Sequence, residues 1–312
     1  MRLSLLYRGV LASCNYDCPY CPFAKRKDTR ATLVQDASDL ARFVDWVAAQ
    51  SDLTLNLLFT PWGEALTRRH YRDALIRLSH LPQVERVAIQ TNLSVMPDWL
   101  AQAVPQKVSL WCTYHPGETP LPRFLARIDR LQALGIPHSI GMVGIRRFFA
   151  DIGALRQQLP ANTYLWINAY WDEGRQYYSA DEATWLSQID PWFDHNLNPP
   201  PSQGTACRAG ELALSVDGQG NVKPCHFVSE PLGNLYCDDW RQRLRSKACP
   251  NTLCDCYIGY VHQYDQPFAE EYGMGALGRV PLQFDWQPPA GWSATGPANR
   301  HGRAGWIRLH PA

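Results

Sequence analysis

The chain contains 312 residues, of which 46% are hydrophobic and 19% are charged. Its 30 basic and 29 acidic residues leave a formal net charge of +1, and this balance argues against a dedicated nucleic-acid binder, which would carry a basic excess or stripe. No apolar run reaches the roughly 18 residues that a membrane span needs. Arg8 also interrupts the short apolar stretch that would otherwise resemble an export signal. We therefore expect a cytoplasmic protein with no membrane contact and no nucleic-acid partner.

Short β-rich runs alternate with amphipathic helical patterns over residues 1–196. The predicted strands are Leu3–Tyr7, Thr54–Phe59, Arg86–Gln90, Val108–Tyr114, Pro137–Val143 and Tyr164–Ala169. The predicted helices lie near Asp36–Ala49, Arg68–Leu78, Pro97–Ala103, Pro122–Leu134, Asp151–Leu159 and Asp181–Ile189. Asp36 or Ser38 is the expected N-cap of the first helix, and Gly135 is the expected stop of the fourth.

This alternation of strands and helices indicates parallel strands joined by right-handed crossovers. Eight such units close a barrel, whereas this chain offers six before its composition changes. The predicted fold class is therefore α/β, with a partial (β/α)6 TIM-type barrel over residues 1–196.

The sequence changes character after residue 196. Residues 197–206 are rich in proline and are interpreted as a linker. Leu212–Val216 and Val222–Phe227 flank a turn and predict a β-hairpin, and a helix near Asp238–Ser246 follows. Residues 207–262 therefore predict a small cysteine-rich auxiliary domain of a hairpin and a helix, and residues 263–312 predict an irregular tail or strap over the surface.

Three cysteines lie close together in the loop after the first predicted strand, namely Cys14, Cys18 and Cys21. In a reducing compartment, clustered thiols indicate metal or redox chemistry more often than disulfides. Iron–sulfur clusters are normally held by four cysteine thiolates, so three in one loop leave one iron open to another ligand. A zinc knuckle or a disulfide pair are the structural alternatives. The loop is expected at the carboxyl-terminal mouth of the barrel, where barrel enzymes place their chemistry.

The motif Cys-x3-Cys-x2-Cys, with the aromatic Tyr20 before its last cysteine, resembles the radical S-adenosylmethionine superfamily. Residues 59–66 stand where that family carries a Gly-Gly-Glu-Pro segment, although here the first glycine is Trp62 and the proline is Ala65. The resemblance implies that this strand end binds the amino group of S-adenosylmethionine. Gly63 would permit close approach of the backbone, and Glu64 would accept a hydrogen bond from the ammonium group.

The same resemblance implies further cofactor contacts. Tyr20 would stack near the adenine, and Asn92, Ser109 and Thr113 would meet the ribose or the carboxylate, although polar residues at strand ends also cap helices and turns. The implied cofactors are S-adenosylmethionine and a [4Fe-4S] cluster. Reduction of the cluster, by a partner such as flavodoxin or ferredoxin, would cleave S-adenosylmethionine to a 5′-deoxyadenosyl radical that takes hydrogen from the substrate.

A second group of cysteines follows the linker and resembles the auxiliary-cluster extension called SPASM or its shortened form, twitch. Four thiolates complete one [4Fe-4S] cluster, and the favoured ligands are Cys207, Cys225, Cys254 and Cys256, with Cys249 as a close substitute for one of the last pair. Zinc bound by the same thiols remains open. The other cysteines, Cys112 and Cys237, are interpreted as non-ligands, and His226 as a structural residue.

The expected function is that of a radical S-adenosylmethionine enzyme of the oxidoreductase type, in which an auxiliary [4Fe-4S] cluster assists oxidation of an unknown substrate. Modification of a peptide or protein is the favoured hypothesis. The alternatives are a sugar or nucleoside dehydrogenase or epimerase and, in another class, a non-catalytic metal-binding or redox-sensing protein. Four tryptophans near strand ends either line a substrate pocket or belong to the core, namely Trp62, Trp111, Trp166 and Trp171.

Overall fold

A computed structural model describes residues 1–24, 26–170, 177–237 and 240–297. Trp171, the first two residues of the helix predicted near Asp238–Ser246 and the last part of the predicted tail lie outside the described residues.

The described residues form one nine-stranded sheet with the strand order β6-β5-β4-β3-β2-β1-β7-β8-β9. The strands are β1 (Arg2–Arg8), β2 (Thr54–Phe59), β3 (Val84–Thr91), β4 (Val108–Thr113), β5 (His138–Val143), β6 (Leu165–Asn168), β7 (Ala213–Asp217), β8 (Asn221–Lys223) and β9 (Gly233–Asn234). Neighbours from β1 to β6 pair in parallel, which confirms the predicted six-stranded partial barrel.

The predicted hairpin is β7 and β8, and it is continuous with the barrel sheet. β7 pairs in parallel with β1, and β8 turns back antiparallel to β7. The proline-rich residues before it also make regular contacts, because Pro201 forms a β-bridge with Leu253 and Ala206 forms one with Ala248. The cysteine-rich region is therefore joined to the barrel by backbone pairing.

Helices connect the parallel strands and cover the outside of the sheet. They are α1 (Arg30–Ala48), α2 (Arg69–His80), α3 (Leu121–Ala133), α4 (Phe149–Gln158), α5 (Ala180–Ile189) and α6 (Phe193–Leu197), followed by α7 (Tyr257–Tyr260) and α8 (Phe268–Tyr272) near the end of the chain. Within the described residues, no helix combines the length and the apolar character needed to cross a membrane.

Three details of the helices bear on the predictions. The N-cap of α1 is Thr29, whose side chain accepts a hydrogen bond from the Thr32 N–H; the prediction of Asp36 or Ser38 was wrong, because Asp36 is buried inside the helix and accepts from the Leu11 N–H. Gly135 has φ +66° and ends α3 as predicted. The helices predicted near residues 97–103 and 238–246 are shorter 3-10 segments, Pro97–Gln102 and Trp240–Arg243.

Strand residues alternate between two apolar cores. One core lies between the sheet and its outer helices and includes Leu5, Leu57 and Ile89. The other fills the inside of the barrel, where Leu6 and Trp111 point away from the helices.

The C-terminal segment completes the inner core. Phe268 and Tyr272 of α8 and Leu277 of the 3-10 helix Gly273–Gly278 are buried against inward-facing strand residues. The Ser139 hydroxyl donates to the Gly278 carbonyl at 2.9 Å. This segment therefore differs from the surface strap predicted for it, because its short helices bury aromatic side chains without a long amphipathic period.

Candidate functional site

Two carboxylates hold the backbone of the cysteine loop between β1 and α1, because Asp36 accepts from the Leu11 N–H and Asp28 binds the next two residues. Asp28 Oδ2 accepts from the Ala12 N–H at 3.0 Å, from the Ser13 N–H at 2.7 Å and from the Ser13 hydroxyl at 2.6 Å. Arg68 Nη2 donates to the same hydroxyl at 3.1 Å. These bonds fix the backbone immediately before Cys14, so the loop is anchored at the mouth of the barrel.

Gly63 lies against this loop. A Cβ atom placed on it would sit 2.0 Å from the Ser13 carbonyl oxygen, a distance that excludes any side chain. The next residue, Glu64, donates its N–H to that same oxygen at 3.1 Å. The turn after β2 therefore touches the cysteine loop through its backbone, which requires glycine at position 63.

The carboxylate of Glu64 joins the ends of β2 and β3. Oε1 accepts from the Thr91 hydroxyl at 2.8 Å and from the Leu66 N–H at 3.0 Å, and Oε2 accepts from the Asn92 N–H at 2.6 Å. Burial raises the pKa of Glu64 to about 7, even though these three donors favour its ionised form. The structure thus shows that Glu64 braces the two strand ends, and its role of accepting from an ammonium group stays a prediction.

Asn92 reaches the first cysteine directly. Its side-chain nitrogen lies 3.6 Å from Cys14 Sγ and donates to the Asn15 carboxamide oxygen at 3.1 Å. Asn92 is buried and follows β3, so a predicted cofactor-binding residue meets a predicted metal ligand across 78 residues of sequence.

Tyr20 packs among the strand ends on the far side of the loop. Its hydroxyl lies 2.9 Å from His115 Nδ1, and its ring stacks on the His115 ring with centroids 6.0 Å apart. Phe148, after β5, meets Tyr20 edge to face. Burial lowers the pKa of His115 to about 4, so this imidazole is neutral at pH 7.

The two remaining predicted cofactor contacts lie at different heights of β4. Thr113 is the last residue of the strand and is partly exposed, so it stands at the mouth. Ser109 lies near the start of the strand and is buried beside Gly278, where a Cβ atom would come within 2.4 Å of its hydroxyl. The C-terminal segment therefore covers Ser109 away from the mouth, whereas Thr113 stands at the mouth. The cofactor contact of each residue stays a prediction.

The three thiols of the loop influence one another. Burial raises the pKa of Cys18 to about 12, and the charges of Glu118, Cys21 and Cys14 raise it further. Burial also raises the pKa of Cys14. Because metal–sulfur bonding needs thiolates, loading of this loop would release protons. Three sulfur donors on one loop fit a [4Fe-4S] cluster with one iron left open.

Four of the later cysteines line one cavity of about 270 Å³: Cys207, Cys225, Cys249 and Cys254. The rest of the lining includes Phe227, Val228 and Leu253, so the thiols face a largely apolar space. Burial raises the pKa of Cys225 to about 11, with the charges of Cys207 and Cys249 as further causes. Four thiols match the ligand number of a fully ligated [4Fe-4S] cluster and of a zinc site with four cysteine ligands. Within the described residues, however, they are not gathered closely enough to hold a single metal ion.

Cys256 is not among the described residues that line this cavity. It lies within electrostatic range of Cys254 and also of Arg8, at the end of β1, and of Arg279. The cavity lining therefore favours Cys249 over Cys256 as the fourth ligand, which reverses the order of preference predicted from spacing.

A hydrogen-bonded chain links the mouth of the barrel to the cavity. Arg8 Nε donates to the Thr60 carbonyl at 2.8 Å, and the Thr60 hydroxyl lies 3.2 Å from His226 Nε2. The Ser215 hydroxyl meets the other nitrogen of His226. His226 follows Cys225 directly, and these contacts are those of a structural histidine.

Within the described ranges, no three Cys, His, Asp or Glu side chains are grouped as a site for a single metal ion. Exposed Cys237 and buried Cys112 lie apart from both groups of thiols, in the parts of the chain that the structure describes.

Neither a protein-family model nor a curated protein matches the chain. The fold resembles a solved structure described as native anSMEcpe with bound AdoMet and Kp18Cys peptide, with a TM-score of 0.54 and 13% identity over 89% of this chain and 97% of that one. A structure described as histidine-tagged anSMEcpe with bound AdoMet gives a TM-score of 0.50 and 15% identity over 78% and 80% of the two chains. At these identities the likeness shows a shared fold.

Sequence reasoning missed several residues of the site. Asp28 and Ser13 carry no motif, and their contact depends on how the loop folds back. Arg279 lies in a segment without periodicity, so no sequence signal places it in the barrel. The proximity of Arg68 to the cysteine loop likewise arises only from the tertiary fold.

Proposed function

We propose that this chain is a radical S-adenosylmethionine enzyme of the oxidoreductase type. The observation that carries the proposal is the loop of Cys14, Cys18 and Cys21 at the mouth of a partial barrel, with the Gly63–Glu64 turn packed against its backbone. When bound, a reduced [4Fe-4S] cluster supplies the electron that cleaves S-adenosylmethionine to methionine and a 5′-deoxyadenosyl radical, which removes a hydrogen atom from the substrate.

The chain's own residues would position the cofactor. The three loop thiolates hold the cluster, and Asn92 orients Cys14 through its amide. Gly63 lets the backbone of the cysteine loop pack against the turn after β2, and Thr113 offers a hydroxyl at the end of β4. The packed rings of Tyr20, His115 and Phe148 exclude water from one side of the site.

We propose a second [4Fe-4S] cluster on Cys207, Cys225, Cys249 and Cys254. A cluster with four protein ligands has no open iron for substrate, so its use would be to accept an electron. This supports net oxidation of the substrate. We further propose flavodoxin or ferredoxin as the reductant, since exposed Arg26 and Lys27 beside the cysteine loop suit an acidic electron donor.

The substrate class that we propose first is a peptide or protein. A small-molecule substrate is the second candidate, and one observation favours it: α8 and the 3-10 helix Gly273–Gly278 fill the lower part of the barrel. A filled barrel leaves less interior space for an extended peptide substrate than for a small molecule.

Anaerobic purification with iron, sulfide and zinc analysis tests the proposal. We expect about eight irons per chain, from two four-iron clusters, and formation of 5′-deoxyadenosine that requires dithionite. The Cys237→Ala variant is the matched control, because this exposed cysteine lies apart from both thiol groups and its loss should change neither quantity. Stoichiometric zinc without iron, together with no 5′-deoxyadenosine, would reject the proposal in favour of a non-catalytic metal protein.

A further inference from the structure

Arg279 is a buried cation inside the barrel. It follows the 3-10 helix Gly273–Gly278, and only 1% of its surface is exposed. Its backbone is left-handed, with φ 56° and ψ 35°, a conformation that costs a non-glycine residue free energy and persists only where the surroundings impose it. The fold therefore tolerates strain in order to place this side chain.

Aromatic rings surround the Arg279 guanidinium on several sides. Its central carbon lies 4.2 Å from the ring centre of Tyr257, 4.5 Å from that of Trp166 and 5.3 Å from that of Trp111. These three side chains are themselves buried. Cation–π contacts of this kind stabilise the charge. They satisfy none of the N–H donors, which point outward in the plane of the guanidinium.

The strand register gives the height of this aromatic cage. Trp166 pairs with Gly141, which pairs with Thr113 at the carboxyl end of β4. The Trp166 ring lies flat over Gly141, where a Cβ atom would come within 1.9 Å of it. Arg279 follows Gly278, which packs against Ser109 and Ser139 in the lower part of the barrel. Its guanidinium reaches the Trp166 ring, and its charge also acts on Cys256.

Two of the three guanidinium nitrogens of Arg279 lack a hydrogen-bond partner in the part of the chain that the structure describes. Among the described residues, neither Nε nor Nη2 has a hydrogen-bond partner, although both are buried. The nearby carboxylate of Asp190 is engaged elsewhere, since it accepts from the Tyr164 hydroxyl at 2.7 Å and from the backbone N–H of Ile167 at 2.8 Å and of Trp192 at 2.9 Å. Buried donors without an acceptor are costly, so these two nitrogens are available to an oxygen ligand.

We propose that Arg279 binds a carboxylate of the substrate at the floor of the active site. The planar guanidinium offers two parallel N–H donors, which match the two oxygens of a carboxylate. Burial among aromatic rings strengthens that pair relative to one in water. The inference rests on the proposed function for its statement that the barrel mouth is the active site, and it adds the chemical class of the substrate.

The charge balance favours a carboxylate over a phosphate. The carboxyl group of Asp190 lies close enough to Arg279 to act on its charge. A singly charged carboxylate leaves a smaller uncompensated charge in this buried site than a dianionic phosphate does. A carboxylate is planar and can lie against the flat rings of Trp166 and Tyr257, whereas a phosphate is tetrahedral.

Binding of benzoate, benzamide and inorganic phosphate to the anaerobically reconstituted protein tests this inference, by titration calorimetry and by the shift in unfolding temperature. We expect benzoate to bind and raise the unfolding temperature, and its uncharged isostere benzamide to do neither. Arg279→Met should weaken benzoate binding about tenfold or more, the effect of losing hydrogen bonds to a charged group. Arg279→Lys should weaken it less, because an ammonium keeps the charge but lacks the fork.

Arg69→Gln is the matched control, since Arg69 is an exposed residue of α2 paired with Asp73, and it should bind benzoate like the parent protein. Near-UV circular dichroism shows whether each variant is folded. If Arg279→Met is unfolded, benzoate binding by Arg279→Lys decides whether the inference holds. Equal binding of benzamide, undiminished binding of benzoate by both Arg279 variants, or stronger binding of phosphate would overturn the inference. Formation of 5′-deoxyadenosine by the parent protein is assayed separately, so failure of the proposed function is distinguishable from failure of this one.

Discussion

The two groups of thiols are built in opposite ways. Cys14, Cys18 and Cys21 come from one loop of eight residues and stand at the mouth of the barrel. The four thiols of the cavity come from separate segments between Cys207 and Cys254, and they face an apolar space of about 270 Å³. A local motif can leave a coordination position open to a cofactor, whereas donors gathered from several segments can enclose a site completely.

Their supports differ in the same way. The loop thiols are braced by side chains, chiefly the carboxylates of Asp28 and Glu64, which bind loop and strand-end backbone. The cavity thiols are braced by backbone pairing, including bridges between Cys207 and Gln263 and between Ala206 and Ala248. We therefore expect substitutions near the two groups to have separable effects.

The largest expected effect is that of replacing Cys14, Cys18 and Cys21 together by Ala. Loss of one four-iron cluster should reduce the iron content from about eight to about four per chain, and 5′-deoxyadenosine formation should cease because the open iron is gone. Iron analysis and chromatography of the nucleoside product measure both. Product formation by the triple variant would contradict the assignment of the loop, and the equivalent loss in Cys237→Ala would show that the effect is unspecific.

A closer test compares Cys254→Ala with Cys256→Ala. Only the first thiol lines the cavity, so Cys254→Ala should lose the signal of the second cluster and about four irons, the content of one cubane, whereas Cys256→Ala should retain both. Iron content and the electron paramagnetic resonance spectrum of the reduced protein distinguish the two variants. If Cys256→Ala loses the cluster while Cys249→Ala keeps it, the ligand set predicted from spacing is correct and the cavity assignment is wrong.

A pair of glycine substitutions should displace each thiol group without removing a ligand, so we expect partial losses, smaller than those of the cysteine variants. Gly63→Ala forces a methyl group onto the Ser13 carbonyl, 2.0 Å away, and Gly259→Ala forces one toward Cys254 Sγ, 2.6 Å away. The first should slow 5′-deoxyadenosine formation with the second cluster intact, and the second should lower iron retention at the cavity with the loop intact. Each variant serves as the control of the other, and identical losses in both would mean that the two thiol groups are not separable.

Much of the barrel could be predicted from sequence because its signals are local. Each of the strands β1 to β6 is a short β-rich run next to an amphipathic helix, and the spacing of Cys14, Cys18 and Cys21 lies within one loop. The resemblance of residues 59–66 to the Gly-Gly-Glu-Pro segment, one strand–helix unit after the cysteines, predicts Gly63 and Glu64 as site residues. What the sequence did not show is that Gly63 is required by the Ser13 carbonyl, which approaches from another loop.

The sequence by itself determined the alternation of strands and helices that makes the partial barrel, and the thiol motif at its mouth. Both are local signals, because the hydrophobic period of an element and the spacing of the three cysteines involve residues close together in the chain. Only the tertiary structure decided that Cys249 and not Cys256 faces the cavity, and that the C-terminal segment carries Arg279 into the barrel. These placements depend on contacts between residues far apart in sequence, where side-chain direction and burial are set by packing and leave no pattern in the segment itself.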